Sequence, residues 1–466
     1  MRRLLIPLAV LAVLPAALAS AAPGPAGHPT VTVGLLGNEP LVRSAPDGTL
    51  YISALQHLYV SRDAGATWKQ SPGSLLSQQA NVASDSSIAI DKRGRLYQTF
   101  DYPYAGNTAV CTSDDRAETF SCNPAVLPGG TDRMWIALKD DTTSYLVTNE
   151  LLYQTVFATS TDRGATYVPG QTGTPLADPT DGPLLVSPTT GAVVQPIIDN
   201  FSNQTATANF ESGAGVLRVY DPSATVGAAT TRPIPVIAGG ALPAAAYGKD
   251  GTLYVSSERA TRVKGKIVHV GVQVVRSRDD GKTWTSLPII PGTTTGTSTF
   301  VGLGAGAAGH VGVVFYRSAV AGDPGALPAA ASWDVVYAET HNALAAVPTW
   351  DVRVVDHKVH RGVICATAGC LDSGRFAGDF IDTSFDSADH PLIAWVRETG
   401  EGQKQVRFAG AQGSSVPVVV PPKPVLPPVT HLPGGSLAAT GAAGALTALA
   451  LGLLGVAAVL RRRTRS

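Results

Sequence analysis

A short hydrophobic pattern recurs along the chain, in which a polar turn is followed by apolar residues at alternating positions. It is clearest at residues 47–52 and 250–255, where Asp-Gly precedes a run rich in β-branched and aromatic residues. Another strand-like stretch, such as residues 87–90, precedes most copies. Two such runs joined by a Gly or Asp turn predict an antiparallel hairpin. Counting the hairpins predicts repeated units that begin near residues 39, 86, 134, 182, 242, 299 and 376.

A second pattern follows the first within most units and reads Ser-x-Asp-x-Gly-x-Thr-aromatic. Good copies lie at residues 61–68, 160–167 and 277–284, and residues 113–120 form a worn copy with Ala117 in place of the glycine. The pattern matches the Asp box, so over most of residues 39–412 the chain resembles sialidases and other Asp-box propellers. The first two copies end 52 residues apart, at Trp68 and Phe120, which is the size of one four-stranded blade.

The resemblance implies an all-β fold, a β-propeller of four-stranded antiparallel blades that spans residues 30–412. The hairpin count predicts seven blades, and six, as in true sialidases, is the alternative. The last unit contains only about three strands before the chain leaves it near residue 412, which would expose an unpaired edge. We therefore expect the strand at residues 30–33 to close the last blade.

The box residues are expected to build the framework and not to catalyse. The glycine can adopt a positive φ, the aspartate can accept hydrogen bonds from its own turn, and the aromatic ring can be buried between sheets. In the families that the chain resembles, the boxes lie on the outer rim, away from the active face. The predicted box residues are Ser61, Asp63, Gly65 and Trp68; Asp115 and Phe120; Ser160, Asp162, Gly164 and Tyr167; and Ser277, Asp279, Gly281 and Trp284.

Two segments that begin predicted blades carry candidate chemistry, and they resemble the D-R-x-W and G-D-[FY] segments of bacterial sialidase-like propellers. Arg133 and Arg375 are candidates for binding a carboxylate or another anionic sugar group, because a guanidinium can contact it with two hydrogen bonds. The alternative is that these side chains form ion pairs between neighbouring first strands, with Trp135 filling a gap between blades. The candidate catalytic acids or bases are Asp132, Asp379 and Asp382.

The full sialidase machinery is not recognisable in the sequence. By resemblance it requires three arginines for the substrate carboxylate, a Tyr nucleophile with a Glu, and an Asp acid/base. The F/Y-R-I-P segment that supplies the first arginine is absent, since residues 39–44 read Glu-Pro-Leu-Val-Arg-Ser. We therefore predict a propeller that binds extracellular glycans or proteins at its channel face. The alternatives are a glycoside hydrolase acting on acidic or host sugars, and a scaffold of the cell envelope.

The two ends of the chain carry export and anchoring signals. Residues 1–22 combine early arginines with a short apolar core and small residues, which predicts a secretory signal peptide, with a membrane anchor as the alternative. Residues 413–436 are rich in Pro and predict an extended stalk. Residues 437–466 contain an apolar segment long enough to cross a membrane, followed by arginines.

The last segment begins with Leu-Ala-Ala-Thr-Gly, which resembles a sortase sorting signal of high-GC Gram-positive bacteria. By that resemblance sortase would cut between Thr440 and Gly441 and join Thr440 to the cell wall. A plain C-terminal membrane anchor is the alternative. Both alternatives predict an exported protein on the cell surface, and the resemblance to the sorting signal implies a Gram-positive, actinobacterial cell.

Charge and cysteine content narrow the expected partners. The chain has 35 basic and 35 acidic residues and offers no basic block to neutralise a phosphate backbone, so nucleic acid is not expected as a partner. Four cysteines in an exported chain predict two disulfides, which local pairing would place at Cys111–Cys122 and Cys365–Cys370. Because the histidines do not cluster around the cysteines, a zinc site there is not expected. No residue pattern predicts a metal or a cofactor, and a metal in the channel is left open.

Overall fold

The computed structural model describes a large part of the region predicted to be the propeller, and all of it belongs to one compact unit. The predicted signal peptide, stalk, sorting signal (Thr440 and Gly441) and membrane segment lie outside the described residues, as do Cys365, Cys370, Arg375 and Asp379. The described residues are 31–34, 37–55, 57–71, 86–102, 107–128, 130–150, 155–173, 180–198, 215–235, 242–264, 266–364, 377–378, 381–399 and 403–410.

The strands follow one another in groups that we call units 1 to 7. Unit 1 contains β2 (Pro40–Ser44), β3 (Leu50–Ala54), β4 (His57–Ser61) and β5 (Lys69–Gln70). Unit 2 contains β6 (Ser86–Ile90), β7 (Leu96–Tyr102), β8 (Asn107–Ser113) and β9 (Ser121–Pro128). Unit 3 contains β10 (Gly130–Leu138), β11 (Ser144–Glu150), β12 (Thr155–Ser160) and β13 (Val168–Thr172). Unit 4 contains β14 (Thr180–Asp181), β15 (Leu185–Val186), β16 (Val193–Ile198), β17 (Gly215–Tyr220) and β18 (Thr230–Ile234).

The remaining units complete the fold. Unit 5 contains β19 (Ala244–Tyr247), β20 (Leu253–Val263), β21 (Lys266–Ser277) and β22 (Thr285–Ser286). Unit 6 contains β23 (Thr297–Ala305), β24 (Val311–Ser318), β25 (Ser332–Thr340) and β26 (Asp351–Arg361), with the short 3-10 helix η1 (Pro324–Ala326) before β25. Unit 7 contains β27 (Asp382–Phe385), β28 (Pro391–Glu398) and β29 (Lys404–Gly410), joined by β1 (Val31–Gly34).

These units are antiparallel sheets arranged in a closed circle, which is the architecture of a β-propeller. The first strands are in contact in the order β2, β6, β10, β15, β19, β23 and β27, and β27 contacts β2 again. Among the described residues η1 is the only helical element, and no helix there is long and apolar enough to span a membrane. The all-β propeller predicted from the repeats is therefore confirmed.

The N-terminal strand completes the last unit, as predicted. β1 pairs antiparallel with β29, with Val31 opposite Phe408, so the edge strand of unit 7 comes from the start of the chain. The number of blades stays a prediction, because the described strands form six hydrogen-bonded sheets. Units 5 and 6 share one of them through a single parallel pairing of Val270 with Thr297.

Large side chains fill the space between neighbouring units. The recurring Leu-Tyr at the start of the second strand places a buried ring there, as at Tyr51 and Tyr97, which are at most 1% exposed. Tyr51 belongs to a core cluster that also contains Ile88 of unit 2. Because each sheet is covered on both faces by its neighbours, consecutive positions of an inner strand are buried, as in β3, and not only the alternating positions that the sequence pattern marks.

Candidate functional site

The two ends of the sheets differ in the turns they carry. Ser44 lies opposite Leu50 and Leu50 lies opposite Ser61, so the hairpin turn after β2 and the turn after β4 are at the same end of unit 1. We call this end of the units the turn face. The opposite end, where the chain enters each first strand and where the second and third strands are joined, is the mouth face.

The four segments predicted to be Asp boxes form the same turn on the turn face. In the first, Asp63 accepts hydrogen bonds from the amide of Thr67 at 2.9 Å and from its hydroxyl at 2.6 Å. Ser61 donates to Asp63 at 2.8 Å and accepts from the amide of Gly65 at 2.9 Å. Burial would raise the pKa of Asp63, but the hydrogen bonds from Thr67 and Ser61 outweigh it and lower the pKa. Equivalent bonds are made by Asp115, Asp162 and Asp279.

Each glycine of these turns packs against the preceding unit. Gly65 has φ +89°, and a Cβ there would lie 2.2 Å from the ring of Phe408 in unit 7. In the same way a Cβ at Gly164 would meet Tyr97 of unit 2, and one at Gly281 would meet Leu217 of unit 4. The Ser, Asp and Thr side chains of the boxes are therefore engaged within their own turns, and the glycines allow those turns to pack closely against the neighbouring unit.

The worn box of unit 2 keeps the turn without its glycine. Ala117 has φ +63° and its amide donates to Ser113 at 2.9 Å, as the glycine does in the other copies. A disulfide joins Cys111 to Cys122 across β8 and β9, directly beside this turn, so this predicted pairing is present.

Unit 6 contains a related turn that the sequence pattern did not reveal. Thr340 donates to Asn342 at 2.9 Å, and Asn342 accepts from the amide of Thr349 at 2.9 Å. Thr340 and Asn342 thus take the places of the box Ser and Asp. Thr349 takes the place of the box Thr, and the substituted residues and the longer loop explain why the sequence does not match the motif here.

A central cavity of about 540 Å³ is lined by the first strands of all the units. Its described lining is mainly aliphatic, with Leu41, Ile136 and Val301 as typical members, and its charged members are Arg43 and Asp382. Arg43 is the only arginine in this described lining. The described lining therefore lacks the three arginines that a sialidase would need to bind the substrate carboxylate.

Asp382, one of the candidate acids, joins the first and last units. Its Oδ2 accepts hydrogen bonds from the amide of Val42 at 2.8 Å and from Arg43 at 2.5 Å, and the residue is 8% exposed. Burial raises the pKa of Asp382, while Arg43 and the Val42 amide act in the opposite direction. Ser384 adds a second link by donating to the carbonyl of Val42 at 2.8 Å. This geometry matches the alternative in which the acid forms an ion pair between neighbouring first strands.

The other candidates are placed only in part. For Asp132 and Arg133 the structure describes the backbone. It lies at the mouth end of β10, where Asp132 pairs with Asn149. Trp135 is 8% exposed and donates to the carbonyl of Asp181 at 3.3 Å, so it fills the space between units 3 and 4. The structure therefore does not bring a complete set of catalytic groups together among the described residues.

Three further ionisable side chains, those of Glu258, Arg218 and Asp181, are fully buried between the strands. Glu258 is fully buried and accepts a hydrogen bond from the amide of Phe300 at 2.6 Å, which links units 5 and 6. Phe300 has φ +52°, so this carboxylate holds an unusual backbone conformation. Arg218 and Asp181 are also fully buried, and their N and O atoms lie 3.4 Å apart.

The mouth face carries one feature that the sequence analysis missed, a long basic hairpin formed by β20 and β21. β20 has 11 residues and β3 has 5, so the extra six residues extend the hairpin by roughly 20 Å. Arg259, Lys264 and Lys266 are exposed, and Arg262 is half-buried. No acidic residue occurs from 259 to 271, and this local run of one sign was the signal available in the sequence.

Comparisons with known proteins give only distant similarity. No protein-family model and no curated protein match the chain. An α-L-arabinofuranosidase from Fusarium graminearum is 13% identical, with 84% of this chain and 99% of that chain covered and a TM-score of 0.42. The phage phi92 endosialidase is 11% identical, with 89% and 72% covered and a TM-score of 0.45. A Hadza microbial sialidase is 12% identical, with 78% and 73% covered and a TM-score of 0.41. Similarity at this level does not carry the activity of those proteins over to this chain.

Proposed function

We propose that this chain is an exported, cell-surface Asp-box propeller that binds an anionic extracellular glycan on its mouth face. The observation that carries the proposal is the β20–β21 hairpin, which displays Arg259, Lys264 and Lys266 on that face with no acidic residue between them. Cations in this arrangement attract the carboxylate or sulfate groups of acidic sugars.

Because the charge of the whole chain is balanced, the positive charge of the hairpin is a local feature. Basic and acidic residues number 35 each, so no general positive field competes with the hairpin. At physiological salt its attraction reaches roughly 8 Å, because more distant charges are screened. A ligand must therefore contact the hairpin itself, and the mouth end of β10 with Arg133, two units away in the circle, is the expected second contact.

Hydrolysis is not part of the proposal. Arg43, the arginine in the described channel lining, is paired with Asp382, and Asp382 also binds the backbone of unit 1. Both groups are thus committed to joining the first and last units. The proposed location at the cell surface rests on the signal peptide, the sorting signal with Thr440 and Gly441, and the apolar tail, with sortase as the expected anchoring enzyme.

A glycan array tests this function with the full chain and matched variants. We expect binding to carboxylated or sulfated glycans and not to neutral ones. The hairpin variant R259Q/K264Q/K266Q and Arg133→Ala should lose this binding, whereas Asp63→Ala on the turn face should keep it. Equal binding of the wild type and the hairpin variant would refute the proposal. Absence of glycan binding combined with co-purification of envelope proteins would favour the scaffold alternative.

A further inference from the structure

A cluster of three potential metal ligands lies on the turn face of unit 6. His310 precedes β24, and Glu339 and His341 lie at the end of β25. One ligand atom of each residue lies within 4.8 Å of the other two. His310 and Glu339 are 6% and 8% exposed, whereas His341 is exposed, so the cluster opens to solvent on one side.

The donor set suits a divalent transition-metal ion. Two imidazoles and one carboxylate are a common ligand set for zinc, and three protein ligands leave a fourth position for water. Zinc–ligand bonds of about 2.0–2.1 Å place tetrahedral ligand atoms roughly 3.3 Å apart. His310 Nε2 and Glu339 Oε1 are 2.8 Å apart, so they need to separate by only a few tenths of an ångström. His341, which is exposed, can then approach by rotating its side chain.

The surroundings hold the ligands in place. The ring of His310 packs against those of His341 and Phe385, with centroid separations of 4.1 and 4.3 Å. Arg353 contacts the second oxygen of Glu339 at 3.4 Å and leaves Oε1 directed at His310. Ligating carboxylates in metal sites are oriented by outer hydrogen bonds of this kind.

From this geometry we propose that His310, Glu339 and His341 form a zinc-binding site. His310 is 29 positions from Glu339 in the sequence, and the pairing of β24 with β25, where Val311 lies opposite Thr340, brings it to Glu339 and His341. The ion would connect the hairpin turn after β23 to the turn that replaces the Asp box in this unit. Its position on the turn face makes it independent of the glycan-binding face.

Zinc binding can be measured by equilibrium dialysis of the chelator-treated full chain against Zn²⁺, with Mg²⁺ as the comparison ion. We expect wild type to bind one more zinc ion than His341→Ala, or to bind it at least about tenfold more tightly. Glu339→Gln keeps the size of the side chain and should show the same loss. His357→Ala is the matched control, because this histidine lies in the same unit and its side chain is 73% exposed.

A thermal-shift assay separates a metal site from a simple hydrogen-bonded cluster. Zinc should raise the Tm of wild type and of His357→Ala but not that of His341→Ala, because a ligand stabilises only the protein that binds it. Magnesium should have no such effect, since it prefers oxygen ligands. Identical zinc binding by wild type and His341→Ala, or no zinc binding by wild type, would overturn the proposal.

Discussion

Replacing Gly65 with alanine tests the idea that the Asp-box turns join neighbouring units. The added Cβ would lie 2.2 Å from Cε1 of Phe408, far inside van der Waals contact. Phe408 is fully buried and packs edge-on against Trp68, with ring centroids 5.1 Å apart, so the ring has little room to move. Phe408 lies in β29 of unit 7 and Gly65 lies in unit 1. The clash therefore falls where the first unit meets the last.

Backbone strain and overpacking both contribute to the loss of stability in Gly65→Ala. A residue with a Cβ at positive φ costs about 1–2 kcal/mol, and Gly65 has φ +89°. Overpacking a tightly filled core costs about 1–3 kcal/mol more. Gly65→Ala should therefore reduce the free energy of unfolding by about 2–5 kcal/mol.

Gly48→Ala is the matched control for the conformational term. Gly48 has φ +84° in the turn after β2, and a Cβ there would have no neighbour within 4 Å. It should lose only the strain term of about 1–2 kcal/mol. Urea denaturation of the full chain measures both variants. If both lose the same stability, the box glycine does not pack against the last unit as described, and the reasoning is refuted.

Two further predictions concern the framework. The Cys111→Ala/Cys122→Ala variant should lose about 2–4 kcal/mol of unfolding free energy, because the cross-link between β8 and β9 is gone. Amide hydrogen exchange should accelerate in unit 2 more than in unit 1, and uniform acceleration would argue against this assignment. Asp63→Asn should be less stable than wild type at pH 7, because the folded pKa of Asp63 lies below its ordinary value of 3.8 and its ionised form stabilises the turn. That difference in urea denaturation should disappear as the pH falls through the folded pKa, and a difference that stays constant with pH would contradict it.

The sequence predicts the framework well because the framework is local. The turn at Asp47 and Gly48 and the box from Ser61 to Trp68 are each specified within a few residues, because the hydrogen bonds that shape the turn lie within the motif. The pairing of β1 with β29 was predictable although it is not local. The last unit has only three strands of its own, and its free edge needs a partner strand.

The candidate site is harder to predict because its groups meet only through the fold. Arg43 and Asp382 are 339 positions apart, and the sequence gives no sign that this acid would bind the first unit and not a substrate. His310 and His341 are likewise far apart in the sequence. They meet only because β24 pairs with β25, which the sequence does not show. The basic hairpin was visible as a local run of charge, but only the strand pairing places it on the mouth face.

The affinity of the full chain for an anionic glycan identified on the array tests the central claim, that the mouth face binds the ligand through the β20–β21 hairpin. Isothermal titration calorimetry would compare wild type with R259Q/K264Q/K266Q and with K69Q/K92Q/K282Q, which removes the same charge from the turn face. At about 0.2–1 kcal/mol for each exposed ion pair, the hairpin variant should bind about 3- to 150-fold more weakly. The turn-face variant should bind like wild type. Equal weakening of both variants would contradict the account, because only the net charge of the protein would then matter.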